Sequence, residues 1–184
     1  MNAALRASAT RQAQEAERSR SHPMSVHNVM WRINCSAIDD DQVVDAAFAW
    51  LVGEDTKVLV ETEKSWHGAT QRLLTCRSER RKASTTALAR LGQPLLSKIA
   101  EDKDWLKSRI DDERVLHIRL DLAKLALGEM ALTEANASRP SVKGQIKLEV
   151  YPNQDSIKIA QTVLRKAGKE AAVNGWNGVH PERL

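Results

Sequence analysis

The chain alternates between two kinds of hydrophobic spacing. From Val26 to Cys35, apolar Val29, Trp31, Ile33 and Cys35 interleave with Asn28, Met30, Arg32 and Asn34, the period-two signature of a half-buried strand. Asp39, with Gln42 three residues on, reads as a helix cap with its capping-box partner. Val43, Val44, Ala47, Phe48 and Leu51 then follow at helical spacing, and Gly53 ends the helix. Alternation returns over 56–63 through Val58, Val60 and Thr62. After the turn Ser65-Trp66-His67-Gly68 it resumes over 70–77. Leu88, Leu91, Leu95 and Ile99 predict helix from Arg80 to about Ala100, interrupted at Gly92 and Pro94. Asp102 is placed to cap a further turn carrying Trp105, Leu106 and Ile110. A strand is predicted over 114–121, with one or two helical turns after it ending at Gly128. Another strand runs from Val142 to Tyr151, and a last helix through Ile157, Ala160, Val163, Leu164 and Ala167 is capped by Asn153.

Each strand is apolar on one side only. That predicts an α+β two-layer sandwich: a mixed or antiparallel sheet of about five strands, with helices on one face and the other face open. Residues 24–172 make one domain. Residues 1–23 carry almost no large apolar side chain and read as a disordered or frayed extension, with Met24 available as an alternative initiator. Four Arg against two Glu leave a nucleic-acid-binding arm as the rival reading of that extension. The tail from Val173, residues 173–184, contains Gly and Asn and is expected to be loose.

Composition narrows the function. The 184 residues include no run approaching the roughly 18 apolar residues of a membrane span, and no signal peptide is readable. Two cysteines, Cys35 and Cys76, exclude zinc ligation by CxxC pairs and suggest buried thiols in a reducing, cytoplasmic setting. Five Trp against one Tyr and one Phe cannot furnish the Phe/Tyr stacking platform of an RNA-recognition-motif sheet.

A formal net charge of +4 hides strong segregation. Residues 72–90 hold six basic side chains against Glu79, and residues 139–169 hold seven against two acids. Residues 39–63 hold eight acids against Lys57. Arg32, Asn34, His117, Arg119, Lys143, Gln145 and Lys147 all fall on the polar side of their strands, joined by Arg72 or Arg77 according to register. If the two cationic segments converge, they form an electrostatic footprint for phosphates. The candidate RNA contacts are Arg32, Arg77, Arg80, Arg81, Lys82, Arg119, Lys143 and Lys147, with Trp66 and His67 near a base or 2′-hydroxyl. The cluster Asp39, Asp40, Asp41 and Asp45 raises metal binding, but helix capping and the helix dipole account for it more simply. No Gly-rich phosphate loop, GxSxG or HExxH occurs. The reading is therefore non-enzymatic, with no metal or cofactor, no membrane partner, and RNA as the ligand. A protein-interaction adaptor using the acidic segment, and a metal-dependent nuclease using the Asp cluster, are the alternatives.

The order of motifs resembles an archaeal family described as predicted exosome subunits or RNA-binding proteins. Ser36-Ala37-Ile38-Asp39-Asp40-Asp41-Gln42-Val43-Val44 is similar to the family's HATEDEEKV segment, with Ser36 in place of its histidine. Ser65-Trp66-His67-Gly68-Ala69 resembles its GHHGN turn through His67 and Gly68. Ile118-Arg119-Leu120-Asp121 resembles an Arg-Leu-Asp-Lys-Gln motif, with Leu122 and Ala123 replacing the last two residues, and Gly128 sits where the family has its following glycine. The strand from Ile146 to Pro152 matches the family's final strand and its proline. The likeness runs over about residues 25–168. It implies a fold similar to the large-subunit ribosomal protein that contacts 5S RNA, and a non-catalytic RNA-binding role with exosome subunits as partners.

Overall fold

In a computed structural model of the chain, the residues described are 26–36, 39–64, 66, 68–134 and 140–183. Five strands form one antiparallel sheet: β1 (Val26–Cys35), β2 (Leu59–Lys64), β3 (Thr70–Ser78), β4 (Val115–Asp121) and β5 (Ser141–Leu148), in the order β2-β3-β1-β5-β4. The helices are α1 (Asp41–Val52), α2 (Arg81–Ala89), α3 (Gln93–Glu101), α4 (Lys103–Arg109), the short α5 (Leu122–Ala126) and α6 (Ser156–Val173). The expected α+β sandwich is observed.

The alternation in β1 works as anticipated. Val29, Trp31, Ile33 and Cys35 are buried towards the helices, while Met30, Arg32 and Asn34 face away. Trp31 is the largest fully buried side chain, and β5 makes room for it with Gly144. A Cβ at that position would stand 2.2 Å from the indole ring. The core extends through Leu116, Ile118 and Leu120 of β4 and through Val142, Ile146 and Leu148 of β5. Ile159, Val163, Leu164 and Ala167 of α6 close it from the other layer. α6 lies across α2 and α3, and the small Ala160, Ala167 and Gly168 permit that close approach.

Four expectations change. Asp39 is not the helix cap: its carboxylate accepts from the Ser36 N–H and hydroxyl, closing a turn. Capping passes to Asp40, which accepts from the N–H groups of Gln42 and Val43. Asn153 does not cap α6 either. It occupies a left-handed turn position (φ 67°), and Asp155 makes the cap. All of β2 is exposed, because it is the outermost strand and reaches beyond the helical layer. Finally, the tail is not loose over 174–182. Trp176 accepts from the Gln93 N–H at 3.1 Å, Gly178 from Met130 at 2.8 Å, and His180 donates to Gly128 at 2.8 Å. Gly92 (φ 85°) admits this strap, since a Cβ there would lie 2.4 Å from the Gly178 nitrogen. The Arg90 guanidinium stacks on Trp176, and Trp50 meets His180 edge-on.

Candidate nucleic-acid interface

The two strand pairings that flank β5 place three cations on one cross-strand line. Arg32 is the register partner of Lys143, and Lys143 is the partner of Arg119. All three are on the face without helices. Among the described residues none of them has an ion-pair partner. The next line across the same face reads Arg77, Met30, Gln145 and His117. Apart from Arg77, the residues of these two lines floor a depression of about 400 Å³, whose side wall is Ser108, Arg109 and Asp111 at the end of α4. Arg109 lies against the ring of Trp105, 5.7 Å from its centroid. Composition alone did not mark Arg109 as a site residue. Its position emerges because α4 ends beside the sheet edge, where Ile110 bridges to Leu116.

His117 is not an isolated polar-face histidine. Its Nε2 lies 2.7 Å from the Asp111 carboxylate. Partial burial pushes that carboxyl upward, but the His117 contact and the Val115 N–H outweigh it and hold Asp111 below the usual carboxylate range. The pair fixes the imidazole at the rim of the depression.

Register also resolves Arg72 from Arg77. Arg77 opens onto the sheet face with Glu79 at 3.3 Å. Arg72 points to the helical side, where Asp41 (2.7 Å) and Asp45 (2.9 Å) of α1 hold it and push its pKa upward through those hydrogen bonds. Two of the four clustered aspartates thus serve a structural clasp, and Asp39 and Asp40 serve turn and cap. Among the described residues no group of three or more His, Cys, Asp or Glu is placed to hold a metal ion. Cys35 and Cys76 are buried free thiols, and burial pushes both pKa values up.

The remaining candidates are not joined to this cluster as one strip. Arg81 is bound to Glu149 at 2.5 Å, and Glu149 also accepts from the Tyr151 hydroxyl. Lys147, on the same face as Lys143, donates to the Glu113 carbonyl at 2.5 Å and lies among Asp112, Glu113 and Glu149. Arg80 and Lys82 border a different depression, shared with Arg77, Lys57 and Arg90. Trp66 is 97% exposed at the β2–β3 turn. His67 lies outside the described residues, as do residues 1–25 and 135–139. No described helix is long and apolar enough to cross a membrane.

Comparison with solved structures finds the same fold. A DUF54 protein of Methanothermobacter thermautotrophicus superposes with a TM-score of 0.60 at 22% identity, covering 78% of this chain and 98% of that one. A DUF54 protein of Archaeoglobus fulgidus gives 0.59 at 23% identity, with 76% and 98% covered. A UPF0201 protein of Methanococcus jannaschii gives 0.50 at 12%, with 74% and 98% covered. No curated protein matches significantly. A family model described as RNA binding matches residues 28–150, which is more than half of the chain and takes in β2 to β5 and all but the first two residues of β1. The chain belongs to that RNA-binding family.

Proposed function

We propose that the protein binds RNA through its phosphate backbone on the open sheet face, without catalysing a reaction. The observation that carries this is the line Arg32–Lys143–Arg119. Like charges on directly opposed strand positions disfavour folding. Three cations on adjacent strands with no carboxylate to separate them are therefore a structural cost, and a bound polyanion removes it. Two of the three are arginines, whose planar fork can hold two phosphate oxygens. Gln145 and His117, one rung along, are placed to hydrogen-bond a 2′-hydroxyl or a base edge. Arg77 and Lys147 extend the same face at its margins. Arg80 and Lys82 offer a secondary contact around the end of the sheet, and the exposed Trp66 a contact at the β2–β3 turn.

The cellular role that fits is an accessory of RNA-processing machinery, with exosome subunits as partners. Support for that part is the motif resemblance. Capture of a nuclease-ring subunit that survives RNase treatment would establish it. RNA binding itself is tested by fluorescence anisotropy from about 50 to 200 mM salt. A backbone-dominated complex weakens steeply over that range, with log K falling by about 0.7–0.9 per phosphate contact for each unit of log salt. A flat response refutes the proposal. So does full affinity in a variant in which Arg32, Arg119 and Lys143 are all methionine.

A further inference from the structure

Strand β2 pairs with β3 along one side and, among the described residues, with no strand along the other. All six of its residues are exposed, including Leu59 at 54% and Val60 at 48%. A sheet edge with free N–H and C=O groups and apolar side chains is a template for another strand. Charged residues commonly block such edges, so the placement of Lys57, Glu61, Glu63 and Lys64 decides what the edge accepts.

A closed two-fold pairing of antiparallel strands requires one residue to face its own copy. Each choice of that residue sets every other pair, because the paired numbers keep a constant sum. Centring on Leu59 sets Glu63 against Asp55. Centring on Glu61 sets that carboxylate against itself, and centring on Thr62 sets Glu61 against Glu63. Like charges directly opposed destabilise a pairing. Centring on Val60 gives a different result. With β2 continued back two residues from Leu59, Lys57 then faces Glu63 twice, once on each side of the axis. Val60 faces Val60, and Val58 faces Thr62 on the side that also carries buried Leu74. Lys57 borders a depression in which the cations Arg77, Arg80, Lys82 and Arg90 outnumber the carboxylates Asp55 and Glu79, so in a single copy its surroundings are net positive. A partner's Glu63 would relieve that.

We infer that β2 is a self-association edge, and that two copies join antiparallel about Val60 into one continuous ten-stranded sheet. The charge pattern that blocks other registers selects this one. A two-fold axis perpendicular to the sheet leaves both helix-free faces on the same side. Seven strand intervals separate β5 from its copy, which at about 4.8 Å each is about 34 Å. The dimer thereby presents two cationic depressions in one plane, although the inference rests on the edge strand and not on RNA binding.

Sedimentation velocity of the full chain over a concentration series, without RNA, tests it. The expected result is a monomer–dimer equilibrium. Lys57→Glu, which sets a carboxylate against the partner's Glu63 on each side of the axis, should weaken the dimer about tenfold, and Lys57→Glu with Glu63→Lys should restore it. Val60→Cys should give a reducible cross-linked dimer, because cross-strand Cα separations of about 4.5–5.5 Å suit a disulfide. The whole strand is exposed, so these variants keep the fold, and circular dichroism verifies that. A monomer at every concentration overturns the inference. So does a dimer that is indifferent to Lys57→Glu and forms no cross-link at Val60→Cys.

Discussion

Replacing Lys143 with methionine should weaken RNA binding and strengthen the fold. Lys143 is the middle cation of the line, partnered by Arg32 on one side and Arg119 on the other. Methionine keeps the unbranched apolar stem and removes the charge. On the RNA side, losing one phosphate contact should lower the slope of log K against log salt by about 0.7–0.9. Over a fourfold rise in salt, that is about a threefold smaller loss of affinity than for the unaltered protein. On the folding side, the substitution relieves two opposed like-charge pairs. Each is worth about 0.2–1 kcal/mol, and these side chains are solvated, so a total of about 0.5 kcal/mol is reasonable. At about 2–4 °C per kcal/mol for a chain of this size, Tm should rise by about 1–2 °C. Anisotropy against salt measures the first effect and calorimetry without RNA the second. Parallel losses of affinity and Tm would mean that Lys143 supports the fold. Unchanged affinity and slope would mean that the line does not meet phosphates. Either result refutes the reasoning.

Gly144→Ala should cost stability, because the new methyl meets the fully buried Trp31 ring with no space to yield. Overpacking of this kind costs about 1–3 kcal/mol, and urea unfolding should show a lower midpoint at unchanged slope. Arg72→Met should loosen α1 from β3 by breaking the clasp to Asp41 and Asp45. The aspartates are about half exposed, so the loss should stay near 1 kcal/mol, and Asp45→Asn added to it should cost little more. Asp111 has a lowered pKa in the fold, so its contribution is present above the unfolded value, about pH 4, and disappears as pH falls through the folded value. In Asp111→Asn that part of the acid loss of stability should vanish, as acid titrations followed by circular dichroism would show. An acid limb identical to that of the unaltered protein would show that the His117–Asp111 contact contributes nothing.

Much of this architecture is written in local pattern. Alternation marks β1, β3, β4 and β5 because each strand has one dry face, and that requirement acts on every second residue. The break between α2 and α3 follows from Gly92 and Pro94, whose backbone limits need no tertiary context. Even Arg32, Lys143 and Arg119 could be assigned to the solvated side of their strands from parity alone.

What parity cannot supply is which residues stand opposite each other. Arg72 and Arg77 are equally plausible in sequence. Only the β1–β3 register sends one to the acidic clasp and the other to the open face. The choice of cap is hidden from local pattern for a related reason. Asp39, Asp40 and Asp41 offer the same chemistry, and the choice falls to Asp40 because Ser36 captures Asp39. The order of the tail is invisible locally because it comes from Gly92, Met130 and Arg90, all more than 40 positions away. Periodicity records how a segment meets a core or solvent, so local pattern is enough to set the elements and their wet faces. Cross-strand partners, ion pairs and strap contacts are relations between distant segments, and they exist only once the chain has folded.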